Sequence, residues 1–222
     1  MRNIRSMALL VPVIVLTGCA ATESSRTIEA PKVVSHSQQY QGQKSKLVVG
    51  KFQNRSNFQN GIFNAEIDQL GSQAKTILMT HLQQTNRFTV LDRANMAEMQ
   101  QEAGFAGTQQ QVICAKYVVT GDVTEFGRKQ VGDKQLFGIL GKGKEQVAYA
   151  KVALNIVDVT TSAVVFSAMG AGEYSLSNRE VVGFGGTASY DATLNGKVLD
   201  LAVREAVNNL VRGIETNQWQ PQ

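Results

Sequence analysis

Tyr117-Val118-Val119-Thr120-Gly121-Asp122-Val123-Thr124-Glu125-Phe126 opens the stretch that decides the fold, which runs on to Ala192. Three more strand-like runs follow it. Gln146 to Asp158 puts Ala148, Ala150, Val152, Leu154 and Ile156 on one face. Ala168 to Leu176 puts Ala168, Gly170, Gly172, Tyr174 and Leu176 one way and Met169, Ala171, Glu173 and Ser175 the other. Val182 to Tyr190 faces Val182, Phe184, Ala188 and Tyr190 one way and Gly183, Gly185, Thr187 and Ser189 the other. A glycine-rich tip, Leu136 to Lys144, separates the first two runs. Apolar residues alternating with small or polar ones describe strands whose two faces meet different surroundings. Two structures fit: an ordinary half-buried antiparallel sheet, or tilted membrane strands, which need about 9–11 residues of this dyad pattern.

Working outward, the N-terminus reads as a targeting segment over residues 1–18. Arg2 and Arg5 form a positive head and Met7 to Leu16 an apolar stretch too short to span a bilayer as a mature helix. Leu16-Thr17-Gly18-Cys19 resembles the bacterial lipobox. The resemblance implies cleavage before Cys19, diacylglycerol on its sulfur and an acyl chain on the new amine. Ala20, not Asp, in the second mature position points the same resemblance to the outer membrane. Two or more acyl chains anchor a protein stably where one does not. No other cofactor is expected. Residues 19–45, rich in Thr, Glu, Ser and Gln, read as a flexible tether.

The remaining length suits one domain, residues 46–215, with 216–222 as a tail. Net charge is +4, and removal of Arg2 and Arg5 leaves +2 (4 − 2), scattered along the chain. That is too little bias for a nucleic-acid partner. With Cys19 assigned to lipid, Cys114 has no partner for an internal disulfide; it precedes an apolar run and is expected to be a buried, inert thiol.

Lys46 to Phe52 reads as a first strand and Asn54 to Gly61 as a loop. A long helix follows, with Phe63, Ile67, Leu70, Ala74, Ile77, Leu78 and Leu82 spaced by threes and fours. Arg87 to Leu91 reads as a short strand, and Asp92 as the cap of a helix carrying Met96 and Met99 and stopping at Gly104. Asp158 to Ser162 reads as a hairpin turn. Asn195 is a candidate cap for a last helix bearing Leu199, Ala202, Ala206, Leu210 and Ile214. The expected class is α+β: a mixed sheet with packed helices, plus two β-hairpins available to an oligomeric transmembrane barrel.

Catalytic chemistry finds no support. Gly138-Ile139-Leu140-Gly141-Lys142-Gly143-Lys144 fits a phosphate-binding loop, but Glu145 stands where Ser or Thr should hold magnesium. The loop also lies between strand-like runs and opens no helix. His36 and His81 are the only histidines, and neither has a second ligand at metal spacing. No catalytic residue and no metal site is assigned, and the protein is not expected to be an enzyme.

The chain resembles the CsgG family of curli production assembly/transport lipoproteins, from about Lys46 to Gly213. The resemblance rests on the lipobox, on Ala74-Lys75-Thr76-Ile77-Leu78-Met79-Thr80-His81-Leu82, and on Phe88-Thr89-Val90-Leu91-Asp92-Arg93. Tyr117 to Gly121, Phe137-Gly138-Ile139 and Val152 to Thr161 add to it. It implies a ring of identical subunits with a periplasmic base, each lending two hairpins to a shared outer-membrane barrel that exports unfolded polypeptide without ATP. Hairpin one would be about 126–151 and hairpin two about 167–194, with Phe137, Ile139, Tyr174, Phe184 and Tyr190 as membrane-hairpin candidates. Pooled between subunits, such strands close without an unpaired edge. The same resemblance makes Phe58, Phe63 and Asn64 candidates for a pore constriction, although Phe63 also fits as the first core residue of the long helix. Expected partners are copies of the chain, the outer membrane, a secreted polypeptide and accessory envelope lipoproteins. The alternative is a lipid-anchored adaptor or regulator of an envelope enzyme, similar to penicillin-binding-protein activators, with its domain in the periplasm.

Overall fold

Why the strand-forming residues of one sheet meet helices on one side is explained by where their apolar atoms lie. A computed structural model describes residues 30–58, 68–134, 142–179 and 194–221, with 130–134, 142–146 and 176–179 described as backbone. The elements are β1 (Ser45–Asn54), α1 (Gln69–Gln84), β2 (Phe88–Leu91), α2 (Met96–Phe105), β3 (Tyr117–Lys134), β4 (Lys142–Asp158), β5 (Val164–Arg179) and α3 (Leu194–Glu215). The sheet order is β2-β1-β3-β4-β5. β1 pairs parallel with β2 and β3, and β3, β4 and β5 form an antiparallel meander. The fold is therefore α+β with a mixed sheet, as expected.

The central strand carries the clearest pattern. Ala148, Ala150, Val152, Leu154 and Ile156 of β4 are all buried on one face, and Leu47, Val119 and Val123 join them from β1 and β3. In β3 the register shifts between Val123 and Glu125. That bulge flips the parity of the strand, so that Phe126 and not Glu125 continues the core face. β5 follows the expected alternation: Ala168 and Gly170 face the core and Met169, Ala171, Glu173 and Ser175 are exposed. The fourth expected run, Val182 to Tyr190, lies outside the described residues.

α3 covers this face with Leu199, Ala202, Ala206 and Leu210 buried, the spacing the sequence shows. It comes unusually close to β5. A Cβ on Gly170 would lie 2.2 Å from the Ala202 carbonyl oxygen and 2.2 Å from the Ala206 nitrogen. α3 runs antiparallel to β5: Val198 lies at Gly172, Ala206 at Gly170 and Gly213 at Phe166. α1 packs beside it with Leu70, Ala74, Leu78 and Leu82 buried. Phe63 and Ile67, expected in this helix, lie outside the described residues.

Several local expectations need correcting. Asp92 does not cap α2; its carboxylate accepts from the Ala94 N–H and the Asn95 amide, and the helix begins at Met96. α2 ends at Phe105, followed by Gly107 in the left-handed region (φ 65°), which no β-carbon favours. Asn195 lies inside the first turn of α3, not ahead of it. Of the expected tether, residues 33–40 are docked: Val33 and Ser35 are buried and residues 34–37 form a 3-10 turn. Beyond α3 the chain returns to the core, where Trp219 lies edge-on to Tyr117 at 5.2 Å and stacks on Phe166 at 6.0 Å. Lys32–Gln222 forms one unit.

Candidate functional site

The meander outruns its helix. Arg128 Nε donates to Asn195 Oδ1 at 2.9 Å, and the Lys197 ammonium sits 5.2 Å over the Tyr174 ring. Both contacts are made in the first turn of α3, so they mark where the helical cover begins. Past that level the backbone pairing continues to Lys134↔Lys142 in one hairpin and to Gly143↔Arg179 on the other side of β4. At about 3.3 Å per residue, the run from Arg128 to Lys134 adds roughly 20 Å of strand with no described helix against it.

The uncovered face at this level is polar. Lys151 Nζ pairs with Glu125 Oε1 at 2.8 Å, and the Lys129 ammonium lies 5.1 Å over the Tyr149 ring. With Glu173 they line an open groove of about 470 Å³. An exposed pair of this kind contributes about 0–1 kcal/mol, so it marks a polar section of the sheet more than it stabilises it. Tyr174, a membrane-hairpin candidate, is half-buried against α3. Phe137, Ile139, Phe184 and Tyr190 lie outside the described residues, as does Cys19.

Of the constriction candidates, Phe58 is partly buried on the core, its ring 4.7 Å from that of Phe126 and tilted by 52°. Phe63 and Asn64 lie outside the described residues. What sequence reading missed is how the loop leaving β1 is held. Asp68 Oδ2 accepts from the Asn54 N–H at 2.7 Å, and Asp68 Oδ1 accepts from the Gly71 N–H at 2.7 Å, capping α1. Asn54 in turn folds the loop start: its amide donates to the Phe58 carbonyl at 2.8 Å, and its Oδ1 accepts from the Ser56 N–H and hydroxyl. Arg55 Nε pairs with Asp122 Oδ1 at 2.8 Å. The available signal was Asp68 itself, an N-cap residue type ahead of a periodic apolar run.

Cys114 is exposed, contrary to the buried thiol expected. It precedes β3 beside exposed Val112 and Ile113, in a segment that has not yet entered the sheet. His81 is buried, and its Nε2 meets Asp200 Oδ1 at 2.8 Å, joining α1 to α3. Sequence reading found the histidine but not this partner, which is 119 residues away. Among the described residues no three His, Cys, Asp or Glu side chains are grouped as a metal ion would require. Among the same residues no helix is long and apolar enough to cross a membrane, which bears on helices alone.

Residues 28–222 match the family model described as "Curli production assembly/transport component CsgG". The chain is 63% identical over 216 residues to the Neisseria meningitidis serogroup B protein named "Putative lipoprotein NMB1126/NMB1164", covering 97% of this chain and 96% of that one. Among solved structures, the PelC dodecamer from Paraburkholderia phytofirmans is 17% identical, with 83% of this chain and 96% of that chain covered and a TM-score of 0.36. The lipoprotein GNA1162 from Neisseria meningitidis is 14% identical, with 78% and 99% covered and a TM-score of 0.34. At that distance neither structure bears on how this chain acts.

Proposed function

We propose that this chain, which belongs to the CsgG family, is an outer-membrane lipoprotein whose copies assemble into a pore for ATP-independent export of unfolded polypeptide. The acylated Cys19 anchors it, the folded unit faces the periplasm, and each copy lends its hairpins to a common barrel. The observation that supports this reading most is the overrun of the meander. β3, β4 and β5 keep their pairing beyond the first turn of α3. A strand continued past its helical cover needs another surface or another strand. A barrel built from several copies supplies both and leaves no backbone group unpaired in lipid. Conduction would be passive, through a lumen narrowed by the loop that Asp68 and Asn54 hold.

The polar face formed by Glu125, Lys129, Tyr149 and Lys151 favours a second reading, a lipid-tethered adaptor that keeps this face in water for an envelope partner. Both readings are tested by negative-stain microscopy of detergent-extracted, acylated protein beside a Cys19→Ala version. Rings with a stain-filled centre support the pore. Monomers or dimers in both samples overturn it and leave the adaptor.

A further inference from the structure

β3 changes its surroundings at one residue. Up to Val123 it is paired on both sides, and its last partner in β1 is Asn54, opposite Val123. Thr124 comes next and has no opposite number in β4, where Val152 and Lys151 face Val123 and Glu125. Its hydroxyl donates to the Lys151 carbonyl at 3.3 Å. One extra residue of this kind bends a strand and increases its twist. The bulge therefore sets how the β3–β4 hairpin is inclined to the rest of the sheet, at the level where pairing with β1 ends.

Residues 54–58 straddle that bend. On the near side the Arg55 N–H donates to the Val123 carbonyl at 2.9 Å, and Arg55 Nε pairs with Asp122 Oδ1 at 2.8 Å. On the far side the Phe58 ring lies 4.7 Å from that of Phe126, which is 6% exposed. Between these two anchors the stretch is tied to itself. The Asn54 amide donates to the Phe58 carbonyl at 2.8 Å, and Asn54 Oδ1 accepts from the N–H and hydroxyl of buried Ser56. The Arg55 ion pair is exposed and adds little. The backbone bond at Val123 and the aromatic pair at Phe126 make the bridge.

We infer that residues 54–58 form a brace across the Thr124 bulge, so that the course of the chain leaving β1 and the inclination of the hairpin are set together. Thr124 and Phe126 are then positioning residues for that stretch. The consequence for a pore rests on the reading proposed above: copies that pool their hairpins adopt one inclination, and the chain leaving β1 takes one course in all of them. The geometry isolates the bulge. Without Thr124, Val123, Glu125 and Phe126 stand opposite Val152, Lys151 and Ala150 in unbroken succession, with every side chain on its present face. Only the bend is lost, and Phe126 moves up to about 3.3 Å nearer Val123, too near for the brace to meet both anchors.

Hydrogen exchange and urea unfolding of the full chain carrying Cys19→Ala test this, comparing deletion of Thr124, Thr124→Ala and Phe58→Leu. The deletion is expected to speed exchange at residues 54–58 by about tenfold while β4 and α3 keep their native protection. Thr124→Ala retains the extra residue and should exchange as the native chain does. Because a brace acts on both of its ends, Phe58→Leu should speed exchange at residues 125–129 as well as at 54–58, by about tenfold. Native exchange at 54–58 after the deletion overturns the inference, as does a rise shared equally with β4 and α3. If the deletion prevents folding, Phe58→Leu decides alone, and native exchange at 125–129 overturns it. The acylated native chain is viewed by negative stain in parallel. Absence of rings there, with the exchange results as expected, overturns the pore reading and leaves the brace standing.

Discussion

Asp68 takes the backbone N–H of Asn54 at 2.7 Å across 14 residues of chain, and its second oxygen caps α1 through Gly71. One carboxylate thus closes the loop that leaves β1 and starts the helix after it. Removing it strips a cap and leaves the Asn54 N–H without its acceptor. Asp68→Ala is expected to lower stability by about 1–2 kcal/mol, with Asp68→Asn losing less. Urea unfolding of the Cys19→Ala chain measures the loss, and limited proteolysis should show faster cutting between residues 55 and 67. An unchanged midpoint and cleavage pattern would remove the clamp.

The approach of α3 to β5 makes Gly170 intolerant of any side chain, since the atoms it would meet belong to backbone. Gly170→Val is expected to cost more than about 3 kcal/mol or to prevent folding. Ala171→Val, on the exposed face one residue on, serves as the control and should stay within about 0.5 kcal/mol. Thermal melts of the two variants decide it.

Trp219 is the sole tryptophan, and it reports on its own contribution. Buried against Tyr117 and Phe166, it should emit at short wavelength in the folded chain and shift to the red on unfolding. Trp219→Ala is expected to cost about 3 kcal/mol. Truncation after Glu215 should cost at least as much. A truncated chain as stable as the full one would show that the residues after α3 add nothing.

The turn between β4 and β5 should respond to acid. The Thr161 N–H above all, with the Thr161 hydroxyl, the Thr160 N–H and the Lys116 charge adding to it, holds the Asp158 carboxyl below the usual carboxylate range, against the opposing effect of desolvation. A carboxyl lowered by folding stabilises fully above its unfolded value, and this is lost as pH falls through the lowered folded value. The stability gap between the native chain and Asp158→Asn should therefore be constant near neutral pH and close below about pH 4. Denaturant midpoints across that range test it; a gap independent of pH would mean that the charge of Asp158 does not matter.

The α+β class, the long helices and the inward face of β4 were legible in the sequence, because periods of two and of three to four residues are local properties of a chain. Ala148 to Ile156 and Leu199 to Leu210 are buried where their spacing puts them. The turn at Asp158 was legible for the same reason, as was the glycine pattern of β5, although only the packed helix explains why Gly170 must lack a side chain. What the tertiary structure alone decided depends on partners remote in sequence. Val34 meets Asn208 across 174 residues and Arg87 meets Gln38 across 49, so a stretch with tether composition is nonetheless docked. Cys114 precedes an apolar run but lies outside the sheet, and one bulge exchanges Glu125 for Phe126 at the core. Local pattern fixes which face of an element is apolar; which surface then covers it, and which ends are tied down, is settled only when distant segments compete for the same contacts.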